Sequence, residues 1–222
     1  MSHSRVLWGA KRLGLVALVL AALLVAGAPP ASAATLQVCP SGCSFTTIAG
    51  ALAAAANGDT IGIAAGTYAG GFTVDKNVTL RGEGADQTTI TGGGPVVTVA
   101  NGVSATIESV TITGGTSFYG GGILNNGTLT LKESTVSGNT ATIGGGITNF
   151  STLTLQESTV SGNTADLGGG IFNNGGTVTL SESTVSGNTA SLVGGGIFNE
   201  NATLTLQEST VSGNTPDDCF GC

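Results

Sequence analysis

Basic and aromatic side chains are scarce in this chain. Only 6 of its 222 residues are Lys or Arg, against 13 Asp and Glu, and aromatics make up 5%. Three of the basic residues, Arg5, Lys11 and Arg12, precede the apolar run "LGLVALVLAALLVAGA" (Leu13 to Ala28), and "PPASA" follows with small residues at Ala31 and Ala33. That order reads as a secretory signal peptide over residues 1–33, cleaved after Ala33. The apolar run is short for a membrane span. The only His and Trp, His3 and Trp8, leave with it. The mature chain then holds Lys76, Arg81 and Lys132 against all 13 acidic residues, a net charge of −10. Such a chain has no electrostatic footprint for nucleic acid and is disfavoured at anionic membranes. Without His, a Ser-His-Asp triad and most zinc sites are excluded. The mature chain has no transmembrane segment, and its expected place is extracellular or in the cell envelope.

Cysteine is sparse too, and confined to the two ends: "CPSGC" (Cys39, Cys43) and "CFGC" (Cys219, Cys222). In an exported chain four cysteines suggest two disulfides, with three connectivities open.

What the chain has in abundance is repetition. "ESTVSGNT" begins at Glu133, Glu157, Glu182 and Glu208. Each unit runs TLTL, then this octet, then GGGI, which recurs at Gly120 to Ile123, Gly144 to Ile147, Gly168 to Ile171 and Gly194 to Ile197. A worn copy, "ATIESVTITGG", precedes them, and extra residues ("NNGG", "SLV") fall between elements, where turns tolerate them. Within an element the period is two, with β-branched residues, and Gly or Asn separates the elements, so they read as strands. No unit has a Gly-free stretch with helical periodicity. Three short strands per unit, in tandem, make one coil of a parallel β-solenoid. Leu129, Leu131, Val136 and Ile147 point inward, and identical residues stack one coil apart at about 4.8 Å. Leucine-rich and calcium-binding nonapeptide repeats fit the spacing and the glycines less well.

"VSGNTATIGGGI" (Val136 to Ile147) carries a resemblance. It is similar to the repeat of chlamydial polymorphic outer membrane proteins, with Val136-x-x-Asn139 for FxxN and Gly144 to Ile147 for GGAI, and the chain resembles the right-handed parallel β-helices of the pectin-lyase-like superfamily. The resemblance covers roughly Ala105 to the C-terminus. It implies an all-β, right-handed parallel β-helix, here expected to have about six coils. "FTTIAGALAAAANG" spaces Phe45, Ile48, Ala49, Leu52 and Ala56 on one face of a short capping helix ended by Asn57-Gly58. The expected organisation is a disulfide loop and capping helix over 34–58, irregular coils over 59–104, regular repeats over 105–215 and a C-terminal cap over 216–222. A stack of about six coils, roughly 29 Å long, separates Cys39 from Cys222, so local bridges at each end are expected.

Each repeated position has its own expected role. Asn139, Asn163, Asn188 and Asn214 form one asparagine ladder, and Asn125, Asn149, Asn173 and Asn199 a second, both structural. Glu133, Glu157, Glu182 and Glu208 stack as like charges, either solvated or holding Ca²⁺, the one cofactor considered. Thr128-x-Thr130, Thr152-x-Thr154, Thr177-x-Thr179 and Thr203-x-Thr205 give regular outward hydroxyls. They resemble the Thr arrays of ice-binding solenoids, though Thr is also a good outward strand residue. Phe172 and Phe198 are expected to face outward, where they stack on a sugar or a protein.

No catalytic residues stand out. The repeat region has one Lys and no Arg or His, and the best carboxylate pair by sequence is Asp217-Asp218, in a tail. The expected function is therefore non-catalytic, adhesive or structural at the cell surface. Carbohydrate or host-surface molecules are the candidate partners, and end-to-end self-association is considered as well. A polysaccharide lyase or hydrolase of the pectin-lyase-like superfamily is the alternative, and ice binding a further one.

Overall fold

The structure, a computed structural model, describes residues 32–222; the expected signal peptide lies outside them but for Ser32 and Ala33. The chain winds as a right-handed parallel β-helix built from four stacked sheets of eight, seven, seven and four strands. Thr128–Lys132 pairs in parallel with Thr152–Gln156, that strand with Thr177–Ser181, and that with Thr203–Gln207, each Thr or Leu aligned with its counterpart. Repetition in sequence is thus converted into in-register ladders. The inward residues form one continuous core: Leu129, Leu131, Val136, Ile147, Leu153 and Leu155 are fully buried. Each such side chain contributes about 1.5–3 kcal/mol of hydrophobic stabilisation.

Three details differ from the sequence reading. The eight-stranded sheet gives about eight coils rather than six. Its first strand, Thr35–Val38, pairs with Thr60–Ile63 without any mark of the repeat. The coil opened by Ser104–Glu108 is likewise spelled differently from the four that follow. Second, "TATI" and its equivalents are strands, not turns. Thr116–Tyr119, Thr140–Ile143, Thr164–Leu167 and Thr189–Val193 make a fourth sheet, so four coils carry an extra side. The "SLV" residues fall inside the last of these strands, where the register shifts between Ala165 and Leu167. An edge sheet absorbs the insertion as a bulge.

Third, the helix is short, Ile48–Ala54, and buries Ile48, Ala51, Leu52 and the following Ala55. The expected face was misphased: Ala49 and Ala56 are exposed. The helix starts only after Thr47, whose hydroxyl accepts from the Gly50 amide, so its inward stripe runs from Ile48 at i, i+3, i+4 and i+7. At its other end the Lys76 ammonium donates to the carbonyls of Leu52 and Ala53. One of the three basic residues among the described residues is thereby assigned to a helix C-terminus, where a cation is favoured.

The GGG triplets have a packing cause. A methyl group added at Gly145 would lie 2.5 Å from the carbonyl oxygens of Gly169 and Thr164, one coil on. The backbones approach too closely there for any side chain.

Candidate functional site

The outer face of the eight-stranded sheet carries the chemistry that the sequence reading dispersed. Outward positions on its strands form columns, and one runs Arg81, Glu108, Lys132, Gln156, Ser181, Gln207. Arg81 and Lys132, far apart in sequence, therefore flank Glu108 on adjacent strands about 4.8 Å apart. Arg81 Nε is ion-paired with Glu108 Oε1. Lys132 Nζ lies 3.1 Å from Glu133 Oε1, and the Ser109 hydroxyl donates to Glu133 Oε2 at 3.4 Å. The Glu108 side chain is 16% exposed, whereas Arg81, Lys132 and Glu133 are 59%, 39% and 50% exposed. The result is one sheltered carboxylate beside one open carboxylate, with two cations between and beyond them.

The Lys132 ammonium is held above its ordinary pKa, first by the hydrogen bond and charge of Glu133 and then by Glu157 and Glu108. A lysine kept protonated in this way is poorly suited to abstract a proton and well suited to bind an anion or stabilise an oxyanion. A protonated Lys132 is thus placed to hold an anion rather than to serve as the base of a β-elimination. The worn copy aligns Glu108 with Lys132, but Arg81 lies in the irregular coils, so the sequence reading missed the cluster. Only the parallel register of 79–81, 104–108 and 128–132 brings them together.

The remaining site candidates take these places. Thr130, Thr154, Thr179 and Thr205 lie in one ladder that extends back through Thr106, Thr79 and Thr60 to Thr35. Thr128, Thr152, Thr177 and Thr203 form a shorter, exposed one beside it. Glu133, Glu157, Glu182 and Glu208 occupy exposed turns with φ of +47 to +49°, a left-handed conformation costly for a residue with a Cβ. Among the described residues no three His, Cys, Asp or Glu converge as metal ligands. Glu157→Asn is expected to raise stability by about 0.5 kcal/mol, since Asn adopts this conformation more readily; a urea titration measures it.

Both asparagine ladders are buried and continuous. Asn139 Nδ2 donates to Asn163 Oδ1 (3.0 Å), Asn163 to Asn188 (2.9 Å) and Asn188 to Asn214 (3.0 Å). Asn125, Asn149, Asn173 and Asn199 are joined likewise at 2.7, 2.8 and 2.8 Å. The tail closes the stacks: Asp218 Oδ1 accepts from the Asn214 amide and side chain, and Gly221 O accepts from Asn199 Nδ2. Asp217 Oδ1 accepts from the Gly194 amide. The Asp217-Asp218 pair is thus engaged as a cap. Cys39 is bonded to Cys43, and Cys219 to Cys222.

The phenylalanine expectation is overturned. Phe172 and Phe198 are 6% and 7% exposed and stack on each other with centroids 5.0 Å apart. Their position does face out of the main core, but the stack continues from Phe198 to Phe220, with centroids 5.1 Å apart. The Thr148 hydroxyl at the same position donates to Ile143 O of the fourth sheet. The exposed aromatics are others. Phe118 and Tyr119 have centroids 4.7 Å apart, Tyr119 and Phe150 5.8 Å, and the three are 58%, 40% and 41% exposed.

No family model matches the chain, and no curated protein matches it in sequence. Solved structures do match in shape. A pectin methylesterase crystallised with a hexasaccharide aligns with 78% of this chain and 67% of its own, at a TM-score of 0.57 and 16% identity. Pectin methylesterases from Erwinia chrysanthemi and Aspergillus niger align over 82% and 88% of this chain and 68% and 91% of theirs. Their TM-scores are 0.48 and 0.46, with identities of 14% and 16%. The chain has the pectin-lyase-like β-helix fold, and at such identities the likeness is one of fold. The repeat-level resemblance to polymorphic outer membrane proteins is not confirmed.

These findings correct the expectation of a non-catalytic adhesive or structural protein. That expectation leaned on the surface-protein resemblance and on an apparent lack of machinery. The solved structure that shares this fold is a pectin methylesterase, not a surface-repeat protein. The second ground overlooked the charged strip Arg81–Glu108–Lys132–Glu133.

Proposed function

We propose that the protein is an exported enzyme that hydrolyses a carboxylated polysaccharide of the pectin type, with esterase action on its uronate esters as the first reaction to test. The observation that carries this reading is the strip on the eight-stranded sheet, where Arg81, Glu108 and Lys132 share one outward column and Glu133, in the turn after Lys132, is paired with it. The likeness in fold to a pectin methylesterase crystallised with a hexasaccharide supports it. A parallel sheet face of this length suits an extended polymer, and cations on it suit the uronate groups of such a polymer.

In ester hydrolysis a carboxylate activates a water molecule for attack on the ester carbonyl. The tetrahedral oxyanion is stabilised by the neighbouring cations, Lys132 and Arg81. Collapse expels methanol and leaves a uronate carboxylate. Glu133 is the more open carboxylate and is oriented by Lys132 and Ser109; it suits the role of base. Glu108, sheltered and paired with Arg81, suits positioning of substrate and charge. The test incubates residues 34–222 with highly methyl-esterified pectin and follows methanol, chain length and unsaturated ends together. Methanol release with chains intact is the expected result. Shortened chains without methanol assign glycoside hydrolysis, unsaturated ends assign a lyase, and no product from any uronate polymer overturns the proposal.

Phe118, Tyr119 and Phe150 supply a separate, uncharged platform of the kind on which a sugar ring stacks. Tyr119→Ala is expected to weaken retention on the polymer about 5-fold, measured by affinity electrophoresis, with the chemical step unchanged.

A further inference from the structure

The first described strand begins beside a buried carboxylate. Asp59, 7% exposed, accepts from the Ala34 backbone nitrogen at 2.7 Å through Oδ1 and from the Ala56 amide at 2.8 Å through Oδ2. The Ala34 carbonyl in turn accepts from the Thr60 amide at 2.8 Å, so Ala34 is fixed on both sides. Strand Thr35–Val38 pairs in parallel with Thr60–Ile63 from this point on. A buried acid is usually matched by a cation, because an ionised carboxylate out of water is costly without one. Among the described residues none is paired with Asp59: Lys76, on the adjoining turn with Asp75, is engaged by the Leu52 and Ala53 carbonyls. The atom that Asp59 grips is the one that becomes an amine if the chain is cut after Ala33, the position to which the sequence pattern "ASA" points.

We infer that Asp59 is the receptor for the processed N-terminus: hydrolysis of the Ala33–Ala34 bond creates an α-ammonium at Ala34 that closes a sheltered ion pair with Asp59 and locks the first coil. The step is a peptide hydrolysis by a leader peptidase. One water is consumed, Ala33 leaves with the new carboxylate, and Ala34 keeps the nitrogen, which takes up a proton. In the uncut chain the same nitrogen is an amide, and the ionised Asp59 receives its hydrogen bond from a neutral donor. Cleavage makes the donor itself a cation, which adds the attraction of two opposite charges to that bond. Processing therefore does more than remove the leader; it tightens the end of the solenoid that the helix Ile48–Ala54 covers.

Sign and window follow from the partners. The Asp59 carboxyl is held below the ordinary carboxylate range by its bonds to the Ala56 and Ala34 amides. Its contribution is present above the unfolded pKa and is lost as pH falls through the folded one. The α-ammonium has the opposite sign. Paired with Asp59, its folded pKa lies above the usual 7.7–8.0 or so. The extra stability is fully present below that range and is lost as pH rises through the folded value.

The test has two arms. Mass spectrometry of the protein exported from an expressing cell is expected to give an N-terminus at Ala34; a stable product beginning elsewhere overturns the inference. In the second arm, purified protein beginning at Ala34 is compared at pH 7 with the same protein Nα-acetylated and with a form retaining Ala33. The free Ala34 amine is expected to melt about 2–4 °C higher than both, with the difference shrinking as pH is raised through the amine's pKa. Equal melting of all three forms overturns the inference. Asp59→Asn is expected to abolish the difference, and if that variant does not fold the acetylated form still decides. None of these outcomes depends on whether the protein is an esterase.

Discussion

Asn163→Leu is expected to cost about 3–5 kcal/mol of folding stability, although leucine is close to Asn in size and more apolar. Asn163 is fully buried at the corner between two sheets. Its Oδ1 accepts from the Asn139 backbone amide (3.1 Å) and side chain (3.0 Å). Its Nδ2 donates to the Val136 carbonyl (3.0 Å) and to Asn188 Oδ1 (2.9 Å). The substitution leaves the Asn139 amide and the Val136 carbonyl without these partners in a dry interior, at about 1–3 kcal/mol each. It also divides the ladder in two. For a domain of this size the melting temperature is expected to fall by roughly 10 °C. Thr159→Val, on the outward face of the adjoining strand Thr159–Ser161, is the control and is expected to change stability by less than about 0.5 kcal/mol. The same change at Asn214, 9% exposed and closed by Asp218 rather than another coil, is expected to cost less than at Asn163. A loss below about 1 kcal/mol at Asn163 would show that core leucines alone hold the coils in register.

Glu133→Gln and Glu108→Gln are each expected to lower turnover of a methyl-esterified polyuronate by about 10²-fold or more. Gln keeps the shape and removes the charge, so neither variant can accept a proton or offset the neighbouring cation. If the two carboxylates act as a unit, the double variant is expected to be little worse than either single one. Arg81→Gln is expected instead to raise KM, because Arg81 is an exposed cation suited to holding a uronate. Stability separates chemistry from folding. Lys132 and Glu133 are exposed, and an exposed ion pair contributes at most about 1 kcal/mol, so Glu133→Gln is expected to move the unfolding midpoint little. Glu108 is sheltered, so its variant's midpoint is read beside its activity. Full activity in both Glu variants would place the reaction elsewhere on the molecule. Unaltered activity in Glu108→Gln alone would assign Glu133 as the single base.

How much of this could be read in the chain depends on whether the information is local or arises from stacking. The repeat itself was legible. An alternation of Leu and Thr, a Gly-Asn turn and a GGGI element, spelled four times, specify a strand–turn coil that stacks on its copies, because identical coils bury identical faces. The two asparagine columns and the inward leucines could be written down from that pattern; the helix was legible from its own segment, though not its buried face. The first strand at Thr35–Val38 could not. It joins the sheet through backbone pairing with Thr60–Ile63, and backbone pairing leaves little trace in side-chain spelling.

The site was hidden for a related reason. Arg81, Glu108 and Lys132 lie on three successive coils; the worn copy aligns Glu108 with Lys132, but the irregular coil of Arg81 holds no repeat by which to align it. Register alone sets which side chains meet, and a slip of one residue would turn Arg81 inward. The fate of Phe172 and Phe198 was decided at the same level. Their strand positions point out of the coil, as the alternation requires, but the in-register pairing stacks Phe172 on Phe198 and Phe198 on Phe220, and the first two are buried. The sequence by itself determined that this protein is a β-solenoid with a leucine, valine and isoleucine core and asparagine corners, since those features follow from a short local period. Which distant charges share a face, and which aromatics remain in contact with water, was decided only by the tertiary structure, since both depend on how one coil is set against the next.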